Sequence, residues 1–343
     1  MPVSFSNQLL KWYEKYGRHD LPWQKNPTSY RVWISEIMLQ QTQVTTVIPY
    51  YARFMQRFPD IKVLALATED EVLSHWSGLG YYARARNIYK TAKIIHEKFH
   101  GIFPETVGAL NELPGIGLST AGAIISFSLQ KKAVILDGNV RRVLTRYFAI
   151  ADNVADKKTI ENLWVLAKKL TPEKNAHKYN QAIMDIGATI CTRTKPHCMQ
   201  CPFQKNCLAN KNNQQTFYPV KIAKKARPTK KTRMLIIYNH NKEILLLKRP
   251  SKGIWGGLWS FPECALEADY TFFQEKKLKY IDELEKIIHQ FTHFTLEIFP
   301  MILAVRSRVF QKLDTTESIW YKLGSALPGG IASPVAKILN SIG

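Results

Sequence analysis

The sequence predicts a multidomain chain: an all-α unit closed by a metal-binding loop, followed by a smaller α+β unit. Three observations predict it. Helical periodicity with Gly and Pro punctuation runs through residues 1–210; four cysteines, Cys191, Cys198, Cys201 and Cys207, crowd its end; and after Thr232 the pattern turns to alternating, strand-like runs. At 343 residues the chain is long enough for two cores. The boundaries read as 1–210 for the helical domain, 211–233 for a basic linker and 234–343 for the α+β domain.

Each element has a local warrant. Thr68-x-x-Glu71 is a capping box ahead of Val72, Leu73 and Trp76, and Gly78 marks the stop. Ile160, Leu163, Trp164, Ala167 and Leu170 recur at helical spacing until Pro172. Residues 211–233 lose apolar periodicity and contain Pro219 and Pro228. Met234–Tyr238 and Glu243–Lys248 flank Asn239-His240-Asn241-Lys242 and read as a hairpin. Phe294, Leu296 and Ile298 alternate, as do Met301, Leu303 and Val305, on either side of a break at Pro300. Ser333-Pro334 opens a final helix.

The cysteine spacing is C-x6-C-x2-C-x5-C. Tetrahedral zinc sites usually pair their ligands as two short hooks, and only one is present here. The unequal outer arms suit a cubic [4Fe–4S] cluster with one thiolate per iron; zinc is the second choice. A disulfide framework ranks below both, since Cys264 lies far away without a mate and no leader pattern precedes the chain.

The formal charge of +21 is uneven. Residues 1–200 hold 26 Lys/Arg against 16 Asp/Glu, residues 201–233 hold 9 against none, and residues 234–343 hold 13 against 11. No acid lies between Asp185 and Glu243, where Arg193, Lys195, Lys205 and Lys211 surround the cysteines. Such a local block points to a polyanionic partner rather than to small metabolites. No apolar run reaches membrane length, so the expectation is a soluble, reduced, intracellular protein.

Leu113-Pro114-Gly115-Ile116-Gly117, followed by Ser119-Thr120-Ala121-Gly122, has the form of a helix-hairpin-helix, whose glycine turn and helix N-terminus hold a phosphate. An unliganded helix–Gly–helix turn has the same pattern. Asp137, in Asp137-Gly138-Asn139-Val140, is placed to cap a helix or, equally, to steady a developing sugar cation. Glu36 is the only acid between Asp20 and Asp60 and sits among Val32, Trp33, Ile37 and Leu39. A carboxyl in that setting holds its proton near neutrality, as a general acid requires. A surface or salt-bridged Glu is the plainer alternative.

The hairpin, the Asp twenty residues after it and the cysteine clasp together resemble the helix-hairpin-helix superfamily of DNA base-excision glycosylases. The runs Val32-Trp33-Ile34-Ser35-Glu36-Ile37-Met38-Leu39-Gln40-Gln41-Thr42-Gln43-Val44 and Gly78-Leu79-Gly80-Tyr81-Tyr82-Ala83-Arg84-Ala85-Arg86-Asn87 resemble its adenine-removing branch, the MutY family. The resemblance implies an all-α helix-hairpin-helix glycosylase domain with an iron–sulfur loop, then an α+β Nudix-like domain. It implies a bacterial, cytoplasmic, monomeric enzyme that hydrolyses the N-glycosidic bond of adenine opposite 8-oxoguanine or guanine in double-stranded DNA.

By the same resemblance Glu36 and Asp137 are the catalytic pair, Gln41 and Tyr81 the wedge that fills the duplex when the base leaves, and Leu113, Gly115, Gly117 and Ser119 the phosphate-holding hairpin. Asn139 lies near the sugar and Gln181 near the adenine pocket. Relatives that also cut the strand have a Lys where this chain has Ser119, so the implied enzyme is monofunctional; Lys131 and Lys132 do not match that position. Arg84 and Arg86 read either as phosphate contacts or as a solvated face.

Gly253-Ile254-Trp255-Gly256-Gly257-Leu258-Trp259-Ser260-Phe261-Pro262 resembles the second domain of that family, which is related to nucleoside diphosphate hydrolases. The hydrolase acid array is missing over Glu263–Glu275, so this domain is expected to bind without hydrolysing. Phe291-Thr292-His293 stands where the family commonly has Phe-Ser-His, which implies that Thr292 and His293 read 8-oxoguanine. Two rival readings are an endonuclease III-like pyrimidine-lesion glycosylase and lyase, which Ser119 and the second domain oppose, and a non-catalytic iron–sulfur DNA-binding protein, which has no use for Glu36 and Asp137. A nucleotide hydrolase is opposed by the missing array.

Overall fold

Short polar side chains open many of the helices. Ser4 accepts from the Asn7 N–H, Thr28 from Arg31, Thr68 from Glu71, Thr106 from Ala109 and Asp137 from Val140, each satisfying a helix-start donor. The computed structural model describes residues 4–220, 226–266, 278–305 and 317–343. In chain order its helices are α1 (Phe5–Tyr16), α2 (Ser29–Leu39), α3 (Val44–Arg57), α4 (Ile61–Leu66), α5 (Glu69–Trp76), α6 (Ala83–Lys98), α7 (Val107–Asn111), α8 (Leu118–Leu129), α9 (Gly138–Tyr147), α10 (Lys157–Leu170), α11 (Ala176–Asp185), α12 (Leu208–Lys211) and α13 (Ser333–Ile342). The chain divides into two compact units, Met1–Ala65 with Lys90–Ala223, and Leu66–Tyr89 with Lys224–Gly343.

In the first unit α8 is the buried spine: Thr120 through Ser126 are all buried. A Cβ on Gly122 would meet the Val134 carbonyl oxygen at 2.1 Å. Backbone contact of that kind sets α8 against the segment leading to Asp137, and only glycine allows it. The core around it joins Phe5, Leu9, Trp12 and Tyr13 of α1 to Val140, Val143 and Leu144 of α9, Tyr179 and Ile183 of α11, and Phe203 of the cysteine loop. Phe5 and Phe203 stack with centroids 4.1 Å apart. Burying each such ring stabilises by roughly 1.5–3 kcal/mol, so the cysteine loop is fastened to α1 by apolar contact.

The second unit is built on a mixed sheet of order β3-β2-β1-β7-β5, with β4 on β1, β6 on β7 and β8 on β2. Its strands are β1 (Thr229–Tyr238), β2 (Ile244–Lys248), β3 (Trp259–Ser260), β4 (Glu263–Cys264), β5 (Leu278–Glu283), β6 (Ile287–Gln290), β7 (Thr295–Val305) and β8 (Ser318–Tyr321). β1 and β7 run parallel, from Thr229↔Thr295 to Tyr238↔Ala304. The hairpin between β1 and β2 forms where Asn239–Lys242 predicts it, and α13 carries Pro334 in its first turn. β1 starts at Thr229, within the stretch read as linker.

Pro300 does not break the strand. β7 runs through it, and the buried positions shift phase there, from Leu296, Ile298 and Pro300 to Met301, Leu303 and Val305. The neighbouring strand β5 carries a bulge between Tyr280 and Asp282, opposite Leu303 and Ile302. Residues 267–275 of the acid-array reading lie outside the described residues.

Residues 66–89, mostly helical, pack with the sheet. Lys248 reaches Asp70 at 2.8 Å, and Ser77 and Tyr82 both donate to the Ile331 carbonyl. A Cβ on Gly330 would meet the Leu73 carbonyl oxygen at 2.8 Å. Buried Leu73, Trp76 and Tyr82 explain why this segment needs such a partner.

Candidate active site and cysteine pocket

Glu36 arises mid-way along α2 because that helix buries nearly all its other side chains, Val32 to Ser35, Ile37 and Met38 among them. Burial first, and then the negative charge of Asp137, push its carboxyl up to about 8. Among the described residues no donor reaches that carboxyl. Asp137 differs. Burial raises it too, but the Val140 N–H donates to Oδ1 at 2.8 Å, Asn139 Nδ2 to Oδ2 at 2.9 Å, and the Arg142 charge lies near, all favouring the carboxylate. Both carboxyls are raised by burial, but only Asp137 has donors that hold it down, an asymmetry that favours the proton on Glu36.

Glu36 opens into a cavity of about 170 Å³ lined also by Tyr13, Trp23, Phe127, His177 and Gln181. Flat rings and a few polar groups make it a slot for a planar ligand with hydrogen-bonding edges. Gln181, 8 % exposed, donates through Nε2 to Asp185 at 2.8 Å. Asp185 is fully buried against Arg18, which reaches Oδ1 at 2.6 Å. Asp185 and Arg18 went unnoticed in the sequence. The signal was there: like Glu36, Asp185 is an acid inside an apolar helical run, with Ala182, Ile183, Met184 and Ile186.

After Asp185 the helix widens into a π turn, Ile186–Ile190, that delivers Cys191. Arg142 ties this turn to α9: it donates to the Cys191 carbonyl at 2.7 Å, to the Gly187 carbonyl at 2.6 Å and to Asn139 Oδ1 at 2.8 Å. Gly187 is there for space, since a Cβ would fall 2.5 Å from that of Asn139.

The hairpin turn joins α7 to α8. Leu113 is buried, Gly115 adopts φ +80°, and Gly117 caps α8 with open space where a Cβ would lie. A surface without side chains at a helix start suits a phosphate. The Ser119 hydroxyl accepts the Leu136 N–H at 3.1 Å, bracing the strand-like approach to Asp137. Lys131 and Lys132 are held outside by Glu105 and Glu173.

Gln41 and Tyr81 both have left-handed backbones, φ +58° and +48°, and both are exposed. Non-glycine residues in that region are strained and concentrate at functional sites. Tyr82, by contrast, is buried. Arg84 is neither a phosphate contact nor on a solvated face. It is 9 % exposed, donates to the Leu79 and Gly80 carbonyls, and lies over the Trp76 and Tyr81 rings. Arg86 donates to the Gly256 carbonyl. Arg84 props the turn that presents Tyr81, while Arg86 ties the start of α6 to the Gly256 loop.

Thr292 and His293 occupy the exposed tip of the β6–β7 hairpin, closed by the Phe291 N–H donating to the Phe294 carbonyl at 2.9 Å. The Phe291 ring anchors the tip against Trp255, His289 and Phe294. The Thr292 hydroxyl lies 3.3 Å from that of Tyr81.

The four cysteines are unpaired and line a common pocket with Arg146, Ile190 and Pro196. Burial and mutual proximity push the Cys201 thiol up to about 12 and raise Cys198 and Cys207. Four thiols so placed need a positive centre to become thiolates together. Buried Arg146 shapes the loop by donating to Cys191 Sγ at 3.3 Å and to the Thr192, Arg193 and Tyr218 carbonyls.

The hairpin, the two carboxyls and the cysteine loop define a base-excision class of protein, and comparison agrees. The model of the HhH-GPD superfamily of base excision DNA repair proteins matches residues 34–169, and that of the NUDIX domain residues 233–341. The adenine DNA glycosylase of Buchnera aphidicola (from Acyrthosiphon pisum, strain APS) is 44 % identical over 98 % of this chain and 97 % of its own. That of Arabidopsis thaliana is 35 % identical over 87 % of this chain and 56 % of its own. The solved structure of a thermostable thymine-DNA glycosylase, 27 % identical, superposes with a TM-score of 0.56 over 61 % of this chain and 95 % of its own. The chain belongs to the adenine DNA glycosylase family.

Proposed function

We propose that this protein hydrolyses the N-glycosidic bond of adenine opposite 8-oxoguanine or guanine in double-stranded DNA, without cutting the strand. The observation that carries the reading is the asymmetry of two half-buried carboxyls, Glu36 beside a ring-lined cavity with no donor among the described residues and Asp137 at a helix start accepting from Val140 and Asn139. An extruded adenine enters the cavity. Glu36 donates its proton to a ring nitrogen, and the base leaves neutral. Asp137, on the sugar side, stabilises the oxocarbenium-like centre, and Glu36, now a carboxylate, takes a proton from the attacking water. Ser119, occupied by the Leu136 N–H, offers no amine nucleophile for strand cleavage. The backbone strain at Gln41 and Tyr81 supports a wedge role, and Gly115 and Gly117 suit a phosphate.

Cys191, Cys198, Cys201 and Cys207 would hold a [4Fe–4S] cluster. The four thiols line a common pocket, which suits a cluster with one thiolate per iron. When bound, the cluster supplies four iron–thiolate bonds that tie down a loop carrying Arg193, Lys195 and Lys205 toward DNA. Thr292 and His293 read the opposite base. The protein is taken to act as a monomer in the bacterial cytoplasm, nucleoid-associated when bound; among the described residues no helix is long and apolar enough to cross a membrane.

The test is direct. Duplexes bearing adenine opposite 8-oxoguanine, adenine opposite guanine, or an oxidised pyrimidine are incubated with the protein and then heated with or without alkali. Breaks at adenine that need alkali are expected; breaks at the pyrimidine, or breaks without alkali, would overturn the reading.

A further inference from the structure

The amide of Gln181 is not free to turn. Its Nε2 donates to Asp185 Oδ1 at 2.8 Å. Every other contact on that carboxylate is also a donor: Arg18 Nε at 2.9 Å and Nη2 at 2.6 Å to Oδ1, and the Arg18 backbone N–H at 2.8 Å to Oδ2. Asp185 is wholly buried, so no water relieves a mismatch there. Turning the amide would set Gln181 Oε1 against Asp185 Oδ1, acceptor against acceptor in a site of low dielectric. One of the two Nε2 hydrogens is therefore given to Asp185, which fixes the sense of the amide. The oxygen end is left for the cavity, and the described residues give it no partner.

We infer that Asp185, clamped by Arg18, is a positioning residue that aims the acceptor of Gln181 into the cavity and thereby selects a base with an N–H donor at that edge. For adenine the donor is the 6-amino group. A purine with a carbonyl at the same position, such as hypoxanthine, brings an acceptor to an acceptor. A site built around a donor rejects the analogue lacking it far more strongly than an apolar site rejects an isostere. The inference rests on the reading of the cavity as the seat of the extruded adenine.

The test is single-turnover excision of adenine and of hypoxanthine, each opposite 8-oxoguanine in otherwise identical duplexes. Each rate is normalised to acid-catalysed release of the same base without enzyme. The unaltered protein should prefer adenine by at least about a hundredfold. Asp185→Ala, which frees the amide to turn, should cut that preference at least about tenfold through a slower adenine rate, with hypoxanthine spared. Equal losses on both bases would make Asp185 merely structural and overturn the inference.

Should Asp185→Ala fail to fold by circular dichroism, Asp185→Asn takes its place. It keeps the volume but offers a donor as well as an acceptor, so the Gln181 amide is free to turn and the preference should fall likewise. An unchanged preference in that variant would also overturn the inference. Equal excision of both bases by the unaltered protein sinks the inference alone, whereas no excision of adenine sinks the functional reading beneath it.

Discussion

The Tyr81 hydroxyl lies 3.3 Å from the Thr292 hydroxyl, so the strained turn after Gly80 and the tip of the β6–β7 hairpin touch at the two side chains assigned to the wedge and to the opposite base. The contact is exposed and each hydroxyl has other options in water, so its net worth in the free protein is small. Its consequence lies in substrate choice, because whatever base engages Thr292 competes with Tyr81 for that hydroxyl.

Thr292→Val removes the hydroxyl at similar volume. The preference for 8-oxoguanine over guanine opposite adenine is expected to shrink by roughly 1–3 kcal/mol, the worth of one good base contact. Tyr81→Phe should shift the same ratio less, and the double variant should fall short of the sum, because the two hydroxyls share a partner. Single-turnover excision on the two duplexes measures this; an unchanged ratio in Thr292→Val would remove the hairpin tip from recognition.

Glu36→Gln is expected to lower excision by about 10²–10⁴-fold while duplex binding is kept, since an amide cannot deliver the proton. It should also stabilise the fold. Glu36 goes from an ordinary carboxylate in the unfolded chain to about 8 in the folded one, so between those values the folded state binds the extra proton and stability falls as pH rises. Replacing the group with a neutral isostere removes that loss, on the order of 1–3 kcal/mol near pH 7. A thermal melt of both proteins at pH 5 and pH 8 decides it, with the gap opening at pH 8.

The same titration sets the alkaline limb of activity. kcat/KM should be supported while Glu36 holds its proton and decline as pH rises through about 8. An alkaline limb unchanged by Asp137→Asn, in the residual activity of that variant, would show that the two carboxyls do not interact.

Gly187→Ala should damage catalysis without touching a catalytic side chain. Its Cβ would fall 2.5 Å from that of Asn139, and α9 must move at the end that carries Asp137. Overpacking of this kind costs about 1–3 kcal/mol, and displacement of Asp137 adds a loss in rate. A wild-type melting temperature together with wild-type excision would refute the close packing.

Cys198→Ser is expected to empty the cysteine pocket and weaken binding to all duplexes alike, because the basic loop loses its shape. Metal analysis of anaerobically purified protein should find four irons and matching acid-labile sulfide per chain in the parent and little in the variant. A single zinc per chain in the parent would overturn the cluster.

Much of the site was legible in local sequence, for a physical reason. Capping, turn formation and thiol spacing act over a few residues, so Asp137 as a helix start, the glycine hairpin turn, the β1–β2 hairpin and the cysteine clasp follow from the chain itself. Glu36 was legible because a lone acid in an apolar helix has few other reasons to be there. What only the tertiary structure decided are the long-range pairings. Arg18 meets Asp185 from 167 positions away, Arg84 turns inward beneath Tyr81, and residues 66–89 leave the helical unit to pack on the sheet. Pro300, a break by local rules, lies within the continuous strand β7. Periodicity says that a face must be buried but not against what. That choice is made by packing among surfaces distant in sequence, and it is packing that fixes which end of Gln181 faces the cavity and which hydroxyl Tyr81 meets.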